Sequence, residues 1–178
     1  MFLFADLALP QAVPDWSIEE LQDEKELIQT TSTFNVSKDA GIETANPNSN
    51  FGSDETAYLG IGANGEARLL FSFNNSVPSG DMVTGASLFL TCGIQPEFLD
   101  NISIYSTRTK KIWDEANVTW NERDATKYWE IGGAEGTDDR GLWEPPLYGY
   151  DNNTFEINVT PIVQNAVINS RSSIDLLI

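Results

Sequence analysis

From residue 27 onward the chain alternates apolar and polar side chains with a period of two, and this constrains the fold more than any other feature. In ARLLFSF (residues 67–73), Ala67, Leu69, Phe71 and Phe73 share one face of an extended chain, with Arg68 and Ser72 on the other. In ASLFLTC (86–92), Ala86, Leu88, Leu90 and Cys92 oppose Ser87, Phe89 and Thr91. NISIYS (101–106), FEINV (155–159) and SIDLLI (173–178) repeat the alternation. Only an extended strand puts every second side chain on one side, so each run reads as a half-buried strand. The turn signals NPNSNFG, GANGEA, VPSGD, GGAEG and GYDNN separate the runs. The expected fold is all-β: a two-sheet antiparallel β-sandwich over residues 27–178.

Two segments depart from that period. Near the end, Thr160 reads as a helix N-cap and Pro161 as the first helical residue, with Ile162, Val163, Ala166 and Val167 on one face. This predicts a short helix near 160–168. At the start, residues 1–14 are apolar with Pro10 and Pro14, and residues 15–26 hold six acids against Lys25. Ser17 followed by Glu20 is a capping-box pattern, with Ile18 and Leu21 on one face, so a short acidic helix is expected there. Residues 1–26 thus read as an N-terminal arm, for docking or linking, ahead of the sandwich. A missing basic n-region, and Asp6 within the apolar run, argue against a signal peptide. No run approaches the ~20 apolar residues that cross a bilayer, so membrane insertion is not expected.

The turn and strand segments together resemble the DNRLRE domains, which are similar to family-96 carbohydrate-binding modules. Asn50, Phe51 and Gly52 resemble the family's Asn-aromatic-Gly turn, and residues 68–73 its Arg-x-Leu-Leu-x-Phe strand. Pro78 and Gly80 with Val83, Ala86 and Leu88 match the next stretch. WDEANVTWN (113–121) resembles the W-x-E-x-x-V-T-W-N signature, followed by Trp129, Gly132 and Gly133, and by Val159, Thr160 and Val163. Ser72 and Asn158 depart from the family, which often has a basic residue and an Asp there. The resemblance implies a jelly-roll-like sandwich and a non-catalytic surface or binding module.

Composition prunes mechanisms. The chain has no histidine and a single cysteine, Cys92, which excludes His-dependent nucleophilic triads, an intrachain disulfide and a Cys/His zinc site. With 27 Asp and Glu against 10 Lys and Arg, the net charge of −17 repels phosphate backbones, so nucleic acid is not an expected partner. Acids this abundant form accidental pairs freely and no motif singles out one, so an enzyme is not expected. Half of the ten bases lie in 108–127 (Arg108, Lys110, Lys111, Arg123 and Lys127), a patch for an anionic ligand or for pairing with Asp114, Glu115 and Glu122.

Three sets of candidate residues remain. Trp113, Glu115, Thr119 and Trp120 read as a structural motif, the indoles burying apolar area and Glu115 and Thr119 bonding within the turn. Trp143, Tyr148 and Tyr150, in the proline-stiffened GLWEPPLYGY loop, form a candidate stacking surface for sugar rings. Asp138, Asp139 and Asp151 are candidate oxygen ligands for Ca²⁺, although no D-x-D-x-D-G loop is present. No other cofactor is expected. The leading expectation is a structural or adhesive module on a virion surface (capsid decoration, cement or fibre), docked through residues 1–26 to protein neighbours in a homo-oligomer or capsid lattice. The alternative is an extracellular or cell-surface carbohydrate-binding module that meets a polysaccharide.

Overall fold

A computed structural model describes residues 30–62, 65–91, 105–144, 148–151 and 153–178, with the backbone alone described over 148–151. The expected arm (1–26), Cys92 and most of the NISIYS run lie outside the described residues. The remaining alternating runs are strands. β1 (Val36–Glu43), β3 (Gly65–Asn74), β10 (Ser173–Leu177) and β5 (Thr107–Arg108) form one sheet in that spatial order, with β2 (Gly60–Gly62) also on β3. β4 (Ser87–Thr91), β9 (Thr154–Asn158) and β8 (Tyr148–Asp151) form the second, and β6 (Glu122–Asp124) pairs with β7 (Lys127–Tyr128). Every pairing is antiparallel.

The two large sheets enclose the main core. Phe73, Ile174, Leu176 and Ile178 from the first meet Leu88, Phe155 and Ile157 from the second. The helix α1 (Thr160–Ile168) closes this core with Ile162, Val163, Ala166 and Val167, the four residues its periodicity selects. Its start differs by one residue from expectation. Val159 is the N-cap, while the Thr160 hydroxyl accepts from Ala86 N–H at 2.9 Å. The Asn158 amide oxygen instead accepts from Thr160 N–H at 2.9 Å, which shifts the helix entry.

The opposite face of β3 is also buried, contrary to a simple inside–outside alternation. Leu70 is 0% exposed, Ser72 2% and Arg68 9%. A second core covers them: Ala40, Ile42, Leu70, Leu177, Val118, Trp113, Trp129 and Ala134. The chain between β5 and β8 supplies most of this cover. Its short strands and turns are too irregular for period-two reading, so the sequence pattern shows only one of the two cores.

Candidate functional site

The tryptophan motif builds the second core. Trp113 is 2% exposed and Trp129 4%. Lys38 Nζ sits 4.4 Å from the Trp113 ring centroid and donates to the Trp113 carbonyl at 2.9 Å. Thr119 Oγ1 accepts from Asn121 N–H and Glu122 N–H, at 3.2 and 2.9 Å, and its carbonyl takes Trp129 Nε1–H at 3.1 Å. Glu115 reaches out of the turn: Oε1 accepts from Asp39 N–H on β1 at 3.0 Å. Burial, then the Glu115 charge, raises the Asp39 pKa. Asn50 Nδ2 donates to the carbonyls of Glu115 and Val118 at 2.7 and 2.8 Å. The Asn-aromatic-Gly turn and the tryptophan signature are therefore one hydrogen-bonded unit.

Beside this unit lies a cationic–aromatic stack that sequence reasoning missed. Arg68 donates from Nε to Glu66 at 2.7 Å and from Nη1 to Gly133 O and Glu135, at 2.7 and 2.6 Å. Its guanidinium lies 5.3 Å from the Trp120 ring centroid and 5.5 Å from that of Trp143. Arg140 stands 4.6 Å from the Trp143 centroid and pairs with Glu135. Burial pushes the Glu135 carboxyl up, but hydrogen bonds from Arg140 and Arg68 outweigh it and hold its pKa below the usual glutamate value. The one local signal was an arginine inside an apolar strand, where an unpaired charge would be costly.

Gly133 lets this stack close. Its φ is +77°, and a Cβ there would come within 2.6 Å of the Trp120 ring. Gly133→Ala is expected to cost about 1–3 kcal/mol, from left-handed strain and ring displacement. Urea denaturation measures it, and a loss under about 0.5 kcal/mol, the range of neutral surface changes, would mean that the ring yields freely.

Of the three proposed sugar-stacking residues, only Trp143 has a described side chain. Trp143 is half-buried against the second core, and its neighbour Glu144 bridges Ser106 just before β5. Tyr148 and Tyr150 are not in a loop; they belong to β8, an outer strand of the other sheet, opposite Ile157 and Phe155 of β9. Residues 145–147, between Glu144 and β8, lie outside the described residues. Trp120 is half-buried under Arg68.

The acidic candidates also diverge. Asp139 is 1% exposed, and its Oδ2 accepts from Ile131 N–H and Gly136 N–H at 3.2 Å each. Asp138 is exposed, and Asp151 ends β8. Among the described residues, no group of three acidic, histidine or cysteine side chains is placed to hold a metal ion. The basic patch divides as well. Lys127 pairs with Asp124 at 3.4 Å, Arg123 approaches it at 4.0 Å, and Lys110 donates to Thr137 O at 2.6 Å.

Comparison with known proteins matches residues 30–178 to the family model described as carbohydrate-binding module family 96. No curated protein matches the chain.

Proposed function

The chain belongs to carbohydrate-binding module family 96, and from that premise we propose that it is a non-catalytic module holding a polysaccharide through residues 143–150. The family match over residues 30–178 carries this reading. In its support, this segment bears three aromatics, Trp143, Tyr148 and Tyr150, and β8 is an outer strand of the second sheet. Aromatic rings offer apolar faces to the C–H faces of sugars while their polar edges stay hydrated. The neighbouring Leu142 is 88% exposed, so the chain beside this segment is open. An extracellular or cell-surface setting accords with such a module. Among the described residues no helix is long and apolar enough to cross a membrane.

The virion-surface reading, with docking through residues 1–26, draws no support from the family match. The test of the carbohydrate reading is a glycan array followed by calorimetric titration of the best ligand. Tyr148→Ala, Tyr150→Ala and Trp143→Ala are each expected to weaken binding about tenfold or more, which is about 1.4 kcal/mol per tenfold. The tyrosine variants matter most, because Trp143 also packs on the second core. Full affinity in all three variants would remove the site from this segment.

A further inference from the structure

The chain enters β1 at the same end of the first sheet as Arg171. Val36 of β1 and Ile174 of β10 both stand opposite Phe73 of β3, so they lie in one row, two strand spacings or about 10 Å apart. Arg171 lies three residues before Ile174, and its carbonyl accepts from Asn75 Nδ2, just past β3, at 2.8 Å. Arg108 of β5 stands opposite Leu176, one strand farther on. Both arginines are half-buried beside Ile162, Asn165 and Ala166 of α1. Phe34, two residues ahead of β1, packs on the main core, on the side of the sheet that α1 covers. The incoming chain and Arg171 thus share one face and one end, with Arg108 beside them.

Charge sets these arginines apart. Arg68, Arg123, Lys127 and Arg140 all have carboxylates within 4.0 Å. Among the described residues, Arg108 and Arg171 have none. Asp175 lies beside them, but its Oδ2 accepts from the Ser173 hydroxyl at 2.6 Å, and it supplies one charge against two. Burial, then the charge of Arg171, lowers the Arg108 pKa, the response of a cation held near another. Lys110 and Lys111 follow Arg108, and Lys110 donates to Thr137 O at 2.6 Å. In a chain of net charge −17 this is a positive surface.

The segment ahead of β1 carries the opposite charge. Residues 15–26 hold Asp15, Glu19, Glu20, Asp23, Glu24 and Glu26 against Lys25, a net of −5. The nine residues 27–35 join it to β1. Extended, they span up to about 30 Å, against about 15 Å across three strand spacings to β5. The segment therefore reaches both arginines, while the acidic remainder of the surface repels it. We propose that residues 15–26 dock, within their own chain, on Arg108 and Arg171 through charge. No enclosed pocket is needed, because ion pairs form on an open surface. Each pair is weak alone, but several on a tethered segment act together, since the linker keeps the local concentration high. The contact involves none of residues 143–150 and stands whether or not they hold a glycan.

Hydrogen exchange of the full chain, read by mass spectrometry on the peptide spanning residues 15–26, tests this. In about 20 mM NaCl the segment should exchange about tenfold more slowly than in about 500 mM, where screening within a few ångströms removes the attraction. Arg108→Gln combined with Arg171→Gln should abolish the slowing at low salt while exchange in β3 stays unchanged. Should that double variant unfold, Glu19→Gln, Glu20→Gln, Asp23→Asn and Glu24→Gln together should give the same loss from the other partner. Lys127→Gln, at a lysine already paired with Asp124, should leave the slowing intact. Slowing that is independent of protein concentration supports the contact within one chain. Slowing that disappears on dilution would place a second copy's segment on the arginines and overturn it. No slowing in the unaltered chain, or slowing that survives high salt or the carboxylate substitutions, would overturn it as well.

Discussion

Trp113→Ala is expected to destabilise the domain by about 3–5 kcal/mol, the range for deleting a fully buried large aromatic. The ring is 2% exposed and packs in a core with Ile42, Leu70, Leu177, Val118 and Trp129. These residues come from β1, β3, β10 and the 110–144 excursion, so one cavity weakens contacts between several elements. The loss exceeds simple transfer because a surround tied by the Asn50, Lys38 and Glu115 bonds cannot collapse fully into the space. The ring also gives up its contact with the Lys38 ammonium. Equilibrium urea unfolding measures the loss, and Trp113→Phe should recover part of it. The experiment also decides the role of the residue. A glycan-stacking tryptophan would lose affinity at nearly unchanged stability, and that outcome would refute the packing account.

Arg68→Ala is expected to cost about 3 kcal/mol. Removing one partner of a buried pair costs about 3–5 kcal/mol, and the low end applies because Glu66 and Glu135 keep about a third of their surface, at 34% and 35%. The substitution strands the Gly133 carbonyl, leaves both carboxylates short of a donor and opens space between Trp120 and Trp143. Arg68→Lys should restore less than half, since one ammonium cannot span Glu66, Gly133 and Glu135 in the same plane. The pH dependence follows from Glu135. Its folded pKa lies below the usual value, so its contribution is present above the unfolded glutamate pKa and is lost as pH falls through the folded one. Loss of the Arg68 donor raises that folded pKa and shrinks the acid-labile contribution, so the variant should differ most from wild type near neutrality and least in acid. A stability difference that stays constant as pH falls through the folded pKa would show that the stack acts through packing and not through charge.

How much of this was legible depends on range. Strands β3, β4, β9 and β10 and helix α1 declare themselves within windows of five to ten residues. β1 does not, because Ala40, Gly41 and Ile42 are buried in succession and break the alternation. The two-residue strands β5 and β7 are too short to show any period. The candidate sites follow the same division. Trp143 and the two tyrosines are close in sequence, yet the tyrosines belong to strand β8 while Trp143 lies outside the strands and packs on the second core. Arg68, Trp120 and Trp143 are distant in sequence and meet in one stack.

The sequence by itself determined the all-β class, the strand faces that form the main core and the helix that closes it. Those properties follow from backbone geometry, which sends alternate strand residues to opposite sides and places every third or fourth helical residue on one face. Only the tertiary structure decided that the second face of β3 is buried too, and that Arg68 is held by two carboxylates and two indoles. A covered face, a paired charge or an unpaired one is a fact about neighbours brought together by chain crossings, and no local period encodes which neighbours those are.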